Sequence, residues 1–441
     1  MAAVVDVADV DNPQSSTSER LSENPDTNDY WECHQGGKEA IEKACSELYP
    51  DQPNPLITSA CVKFWLGGPN PLDYISMYSN PGDSDRGVPP HWHYISFGFS
   101  DLHGDGRVHA FTGPGQMSGF GFELTFRLAK EDDDSIPPTW PTALMNRLAN
   151  YVFQTGNTLQ VGDHIPWHKS LDSSDESTSR IHHMLITEDI DLPQLETPYG
   201  NVEFRQIVGV MDDEVKIAQK WKGAGVLELM MSVREIGPYF ITDMSRPKSI
   251  FEMDSNLLQL VANGIQQDGS NLGHVTAVCT WADLTDGTAK EPVACVSSKG
   301  APGAEDAGVG EEEMLDEPDA CEAVQLKFDV EAAELLPMVV GARLKKGRFF
   351  VFHNAENYAI HLVPPGIMDD TVVVNEGEPL KAKGTFLQIY CSENLTDRMA
   401  QEFELLQELK EEDQHYPVEF RFSEPTILVT VTPRGVLECE G

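Results

Sequence analysis

FGFELTFRL, residues 120–128, sets Phe120, Phe122, Leu124 and Phe126 on one side of a strict alternation. A period of two is the signature of a strand with one face turned into a core. Working outward, HYISFGFS (93–100) and VKFWL (62–66) read as further strands, separated by Pro/Gly turns. Further upstream, KEAIEKACSELYP places Ile41, Ala44, Cys45 and Leu48 at helical spacing until Pro50 stops the run. Downstream, Thr139 and Pro141 open a helix whose inner face carries Leu144, Leu148 and Tyr151 or Val152. EFRQIVGVM (203–211) predicts a strand, and 212–233 helical turns broken near Gly223–Gly225. GPYFITDM (237–244) predicts another strand, SNLLQLVANG (255–264) a helix with a glycine stop, and HVTAVCTW (274–281) a strand. Strands interleaved with helices predict an α/β unit.

The composition narrows the function classes. The chain has 441 residues, with 72 Asp+Glu against 31 Lys+Arg, a net charge of −41. Such a charge repels phosphate backbones, and no basic patch interleaved with aromatics offsets it, so direct nucleic-acid binding is close to excluded and attachment to an anionic membrane is disfavoured. No run of about 18 apolar residues exists to span a bilayer, and MAAVVDVADVD lacks the basic start of a signal peptide. Eight scattered cysteines without a C-x-x-C pair point to reduced thiols in an intracellular protein.

Composition also divides the chain. Residues 1–30 are polar and acidic and are expected to be a disordered tail. All seven tryptophans lie at or before Trp281, and residues 301–320 hold eight acidic residues and no base. A run of that kind with Gly and Pro reads as a flexible acidic linker, placed at 284–321. After it, AVQLKFDV, RFFVFH, YAIHLV, FLQIYC and TILVTVTP read as strands. One helix follows Thr396, with Met399, Phe403, Leu406 and Leu409 on its inner face. The expected architecture is therefore two domains, an N-terminal α/β unit over 31–283 and a smaller α+β unit over 322–441.

For chemistry, His91-Trp92-His93 is the most metal-like feature. Two histidines at i, i+2 on a strand share a face, and Asp101, His103 and His109 follow. A metal-dependent oxygenase or hydrolase built on His91, His93 and Asp101 is the enzyme alternative, against ordinary packing at a Pro-Pro turn. The glycine-rich GPGQMSGFG (113–121) precedes a strand and lacks a P-loop lysine, so it reads as a turn. No nucleophile elbow is present. What remains is carboxylates beside apolar residues: Asp163 in QVGDHIPWH, Glu188 in MLITEDIDLP and Asp268 in QQDGSNLGHVTAVC. The bland reading makes Asp268-Gly269 a turn and Glu188-Asp189 a solvated strand end. The functional reading gives a sheet edge that accepts a short peptide with one basic or imidazole side chain.

Several long blocks resemble the suppressor-of-fused family. They are LYPDQPNPL (48–56), FWLGGPNPLDYISMY (64–78), PPHWHYISFGFSDLHGD (89–105), SGFGFELTFRL (118–128), PPTWP (137–141), YVFQTGNT (151–158), QIVGV (206–210) and DGSNL (268–272). Weaker matches are VQLKFDV (324–330), GARLKKGRFF (341–350) and GTFLQIY (384–390). The resemblance implies a non-enzymatic, monomeric negative regulator of Hedgehog signalling, cytoplasmic and nuclear, with no cofactor and no metal at the H-W-H run. It implies sequestration of Gli/Ci-type zinc-finger transcription factors, with kinase or kinesin-like proteins as further partners. A Ser-Tyr-Gly-His-Leu segment of the factor would add as a strand in a cleft between the two domains. The resemblance further implies that Tyr151, Asp163 and Glu188 hold the peptide histidine and that Asp268 lies nearby. Val275 and Ala277 would sit on the pairing strand, and Glu331 and Leu335 would help close the cleft. The short acidic stretch at 284–321 departs from the long insertion of vertebrate-type members.

Overall fold

Position 120–128 does form a strand, and its surroundings explain why both of its faces carry information. In the computed structural model, which describes residues 35–130, 135–174, 176–292, 318–355, 357–369, 371–407 and 416–434, the chain divides into two compact units between Ala262 and Asn263. The strands of the first unit are β1 (Leu56–Ser59), β2 (Tyr74–Asn80), β3 (His91–Phe97), β4 (Met117–Ala129), β5 (His164–Pro166), β6 (His183–Glu188), β7 (Leu195–Thr197) and β8 (Gly200–Val210). They make one sheet in the order β1-β2-β3-β4-β8-β6-β5, with β7 also paired to β8. The sheet is mixed: β4 and β8 run parallel, the other pairs antiparallel.

Helices α1 (Gly36–Leu48) and α2 (Trp140–Thr155) serve opposite faces of this sheet. On one, Leu144, Met145, Leu148, Ala149 and Val152 of α2 pack with Phe122, Leu124, Phe126, Trp92 and Tyr94. On the other, Ile41 and Cys45 of α1 pack with Ile95, Phe97 and Phe204. Leu148 is fully buried, so Leu148→Ala costs about 2–5 kcal/mol by lost transfer energy plus cavity. β4 is thus buried on both sides rather than half-buried as expected, because Glu123, Thr125 and Arg127 are also inaccessible. The unit continues through α3 (Asp212–Lys220), α4 (Gly223–Ser232) and α5 (Ile250–Met253); α6 (Asn256–Asp268) contains the division itself.

The second unit has strands β9 (His274–Thr276), β10 (Cys279–Asp283), β11 (Asp319–Ala320), β12 (Ala323–Asp329), β13 (Phe350–His353), β14 (Ala359–Val363), β15 (Leu380–Lys383), β16 (Phe386–Tyr390), β17 (Val418–Ser423) and β18 (Thr426–Thr432). One sheet is β10-β12-β18-β17 and the other β11-β15-β16-β14-β13-β9. With α7 (Val330–Ala333), α8 (Leu336–Ala342) and α9 (Glu393–Phe403) they enclose one core that includes Trp281, Phe328, Phe352, Ile389, Met399 and Phe420.

Several expectations change. VKFWL is not a strand: Phe64–Leu66 forms a 3-10 turn, ended by Gly67 at φ 85°. GPYFITDM supplies only a single bridge, Thr242 to Leu128. Gly264 does not stop α6, which runs to Asp268 and ends at Gly269, φ 83°. HVTAVCTW splits into β9 and β10, which join different sheets. Since both belong to the second unit, the boundary lies at 262/263 rather than 283/284. The stretch at 284–321 is correspondingly not an interdomain linker. It leaves from β10 and returns through β11 to β12, all within one unit, and its described ends are ordered by Asp283–Lys290 and β11–β15 pairing. Residues 293–317 and the N-terminal tail lie outside the described residues. The last helix is capped by Ser392, whose hydroxyl accepts from the N–H of Leu395, so it starts before Thr396.

Candidate functional site

Three of the expected site residues belong to the first unit. Tyr151 lies in the last turn of α2, half-buried against the sheet core, and its hydroxyl accepts a hydrogen bond from Asn157 Nδ2 at 3.0 Å. The chain then passes through Gly156, φ 74°, toward Asp163 just before edge strand β5. Gly162 has φ 89°, donates to the carbonyl of Ile186 at 2.8 Å, and leaves the Asp163 carbonyl to accept from Ile186 N–H at 3.0 Å. Two residues thereby oppose one, the geometry of a glycine bulge. The β5–β6 register continues to place Asp163 beside Ile186. Glu188 is two residues further along β6, on the same face as Ile186, so Asp163 and Glu188 are diagonal cross-strand neighbours. The turn is buttressed from behind: a Cβ added at Gly223, where α4 begins, would lie 2.1 Å from the Gly162 carbonyl oxygen.

The two carboxylates differ in environment. Asp163 is only 8% exposed, while Glu188 is solvent-exposed. Burial pushes the Asp163 carboxyl above its ordinary value, against the opposing pull of a hydrogen bond from Gln160 N–H and the charge of Arg205. Arg205 was not anticipated. It stands directly opposite Glu188 on β8, donates to Glu203 and to the Leu159 carbonyl, and lies 4.5 Å over the Phe122 ring. The end of the sheet therefore carries the acids Asp163, Glu188 and Glu203 and one fixed cation, Arg205. An incoming imidazolium would find carboxylate acceptors whose shared face is set by backbone pairing rather than by flexible loops.

The remaining candidates belong to the second unit. Asp268 is the exposed last residue of α6, and the loop after it is held by Arg343 and Arg348, which both donate to the Ser270 carbonyl. Glu331 is exposed on α7 and lies 3.6 Å from Arg434, whereas Leu335, the residue before α8, packs on the core. Val275 and Ala277 also pack on the core. β9 is an outer strand of its sheet, paired to β13 on one side. The Gly273 carbonyl accepts from Val351 and the Ala277 N–H donates to His353, so residues 273, 275 and 277 direct their backbone groups toward β13. By strand alternation it is His274 and Thr276 whose N–H and C=O face the side of β9 that no strand among the described residues pairs. Val275 and Ala277 thus support the edge without being its donors.

The His91/His93/Asp101 cluster does not converge. His91 Nε2 meets Arg127 Nη1 at 3.1 Å, and His93 Nε2 meets Asp189 Oδ2 at 3.0 Å while its Nδ1 meets Tyr49 Oη at 2.9 Å. Asp101 instead caps its own loop, accepting from the N–H groups of His103 and Gly104. Among the described residues no group of three His, Cys, Asp or Glu could hold a metal ion. Burial drives the His91 imidazole down to about 3, so it stays neutral. Asp189 is not a solvated strand end: it is buried and accepts from Arg127, Thr125 and the N–H groups of Asp191 and Leu192 as well as meeting His93. Burial acts to raise its carboxyl, yet His93 and Arg127 outweigh that and hold it well below the usual carboxylate range. The only hint of this network in the sequence was charge at alternate positions of apolar strands.

Comparison with known proteins gives these features a context. Residues 68–247 match the family model described as Suppressor of fused protein, and 309–431 match the Suppressor of Fused Gli/Ci N terminal binding domain. The chain is 40% identical to Suppressor of fused homolog of Homo sapiens over 455 aligned positions, spanning 91% of this chain and 93% of that protein. This chain belongs to the suppressor-of-fused family. The mouse homolog matches to the same extent. The crystal structure of Drosophila Suppressor of Fused superimposes with a TM-score of 0.69 at 34% identity, covering 90% of this chain and 97% of that one. The two-unit mixed α/β architecture is accordingly that of the family.

Proposed function

We propose that this member of the suppressor-of-fused family is a non-enzymatic, monomeric negative regulator that binds a Gli/Ci-type zinc-finger transcription factor. The factor's Ser-Tyr-Gly-His-Leu-type segment adds as a strand to β9, its histidine is received by Tyr151, Asp163 and Glu188, and Asp268, Glu331 and Leu335 border the peptide. Binding retains the factor in the cytoplasm, represses it in the nucleus, and leaves kinase or kinesin-like pathway proteins as further partners. The observation that carries this reading is β9, outermost among the described strands of its sheet, with the backbone groups of His274 and Thr276 turned away from β13, in the unit of which residues 309–431, downstream of β9, match the family's Gli/Ci-binding domain. Main-chain pairing supplies affinity and the acidic sheet end supplies selection. A peptide imidazole between carboxylates is favoured as its cation, and a hydrogen bond to a charged group contributes about 1.5–3 kcal/mol. The peptide glycine permits close backbone approach.

Calorimetry with a Ser-Tyr-Gly-His-Leu peptide tests this. Asp163→Asn is expected to weaken binding about 10- to 100-fold, and replacing the peptide histidine by alanine to do the same. Unchanged affinity in either experiment rejects the assignment. Light scattering checks the monomer, and cell fractionation with and without the factor checks retention.

A further inference from the structure

β9 belongs to a sheet with two unlike faces. Val275, Phe352, Ile360, Leu387 and Ala382 point into the core, while the register lines up Thr276, His353, Ala359, Phe386 and Lys383 across the other face. A parallel row runs His274, Val351, His361, Gln388 and Lys381. His361 and Gln388 are buried, but His274, Thr276, Phe386 and Lys383 are exposed and His353 is half-buried. At the open edge, the His274 and His353 rings lie 5.8 Å apart, and His353 Nε2 meets Thr276 Oγ1 at 2.8 Å. In a chain of net charge −41, these two rows contain two lysines, three histidines and no carboxylate.

A strand paired with β9 sets its alternate side chains beside His274 and Thr276, on this face. We propose that the strand bound at β9 is selected for a carboxylate side chain on the His274/His353 face. The proposal rests on the reading of β9 as the docking edge and adds a specificity to it. Complementary charge beside paired imidazoles favours their protonated forms, whereas without a ligand partial burial and the neighbouring His274 act to keep His353 neutral. Binding of such a peptide is therefore linked to proton uptake and tightens as pH falls through the histidine range. Arg348 holds Asn271 beside the start of β9, whereas Arg343, near the Cβ position of Gly273, lies on the core side with Val275, and Lys383 lies four strands away at the far end of the row, so neither of these two adds to the field at the edge pair. Lys381 is paired with Glu378, and Asp369 acts on His361 rather than on the edge pair.

The test is fluorescence anisotropy with the full chain and a labelled 12-residue peptide containing Ser-Tyr-Gly-His-Leu, against a set with single aspartates at each position outside that motif. At pH 6.0, aspartate at positions spaced by two is expected to tighten Kd by about fivefold or more. The gain should shrink at pH 8.0 and vanish in the His274→Gln/His353→Gln variant, whose circular dichroism and Tm check that the fold is kept, His274 being exposed and His353 half-buried. No tightening at any position, or tightening that survives in that variant or is independent of pH, overturns the proposal. Failure of the docking reading itself looks different: the parent peptide then does not bind, or binds regardless of Asp163→Asn, and the specificity falls with it.

Discussion

Replacing Asp189 by asparagine removes one charge from the centre of the first unit while preserving shape. Arg127 and Asp189 have fully inaccessible side chains, and the remaining counter-ion for Arg127 is Asp191, 3.0 Å away and 23% exposed. Asparagine keeps an oxygen for Arg127 and the N–H groups of Asp191 and Leu192, but its amide would face the Thr125 hydroxyl and His93 Nε2 in place of an acceptor. Removing one partner of a buried ion pair costs about 3–5 kcal/mol. For a unit of this size each kcal/mol shifts Tm by about 2–4 °C, so a fall of about 6–20 °C is expected. Tryptophan fluorescence is the suitable assay, since six of the seven tryptophans precede the unit boundary and only Trp281 follows it. The Asp189→Asn/Arg127→Met double variant should be less unstable than Asp189→Asn alone, because no buried charge is then stranded. A fall in Tm under about 3 °C, or a double variant worse than the sum of its parts, refutes this account of the network.

Further outcomes follow from individual residues. Glu123 is fully buried, accepts from Ser96, Gly98 and Ser100, and is raised to about 7 by burial. Its stabilising effect is complete below its unfolded value near 4.5 and is lost as pH rises through about 7; denaturant melts should therefore show Glu123→Gln gaining on wild type between pH 5 and pH 8, and a constant difference contradicts this. Thr276→Pro removes an open-edge N–H and is expected to abolish peptide binding, with near-native circular dichroism. Ala277→Pro removes the donor to His353 and should instead destabilise the second unit by about 1–3 kcal/mol. Equal effects of the two prolines on stability would contradict the edge assignment. Gly223→Ala forces a Cβ to 2.1 Å from the Gly162 carbonyl; about 1–3 kcal/mol of destabilisation, with weakened peptide binding through the displaced Asp163 turn, is expected in chemical denaturation and calorimetry.

Local pattern was enough for much of this molecule. The alternation at 120–128, the helical spacing of Ile41 and Cys45, and the Thr139-Pro141 start each describe contacts a residue makes with its own element, and those elements formed. Reading failed where a neighbour distant in sequence decided the outcome. GPYFITDM has strand composition, yet among the described residues only Thr242 finds a bridge. HVTAVCTW looks like one strand, yet it divides because β13 and β12 offer edges in different sheets. The individual carboxylates Asp163 and Glu188 were visible in the sequence. Their common face comes from the bulge at Gly162 and the pairing of β5 with β6, and the cation Arg205 joins them only because β8 lies next to β6. The same holds for His91, His93, Arg127 and Asp189: the sequence suggested a shared metal site for the two histidines and a solvated strand end at Asp189, and gave Arg127 no role. Sequence determines what each segment can bury and which way its side chains alternate, since those follow from the covalent period of strand and helix. Which alternating face meets which partner depends on pairing across many intervening residues, and that juxtaposition is where charge networks and an open edge acquire their chemistry.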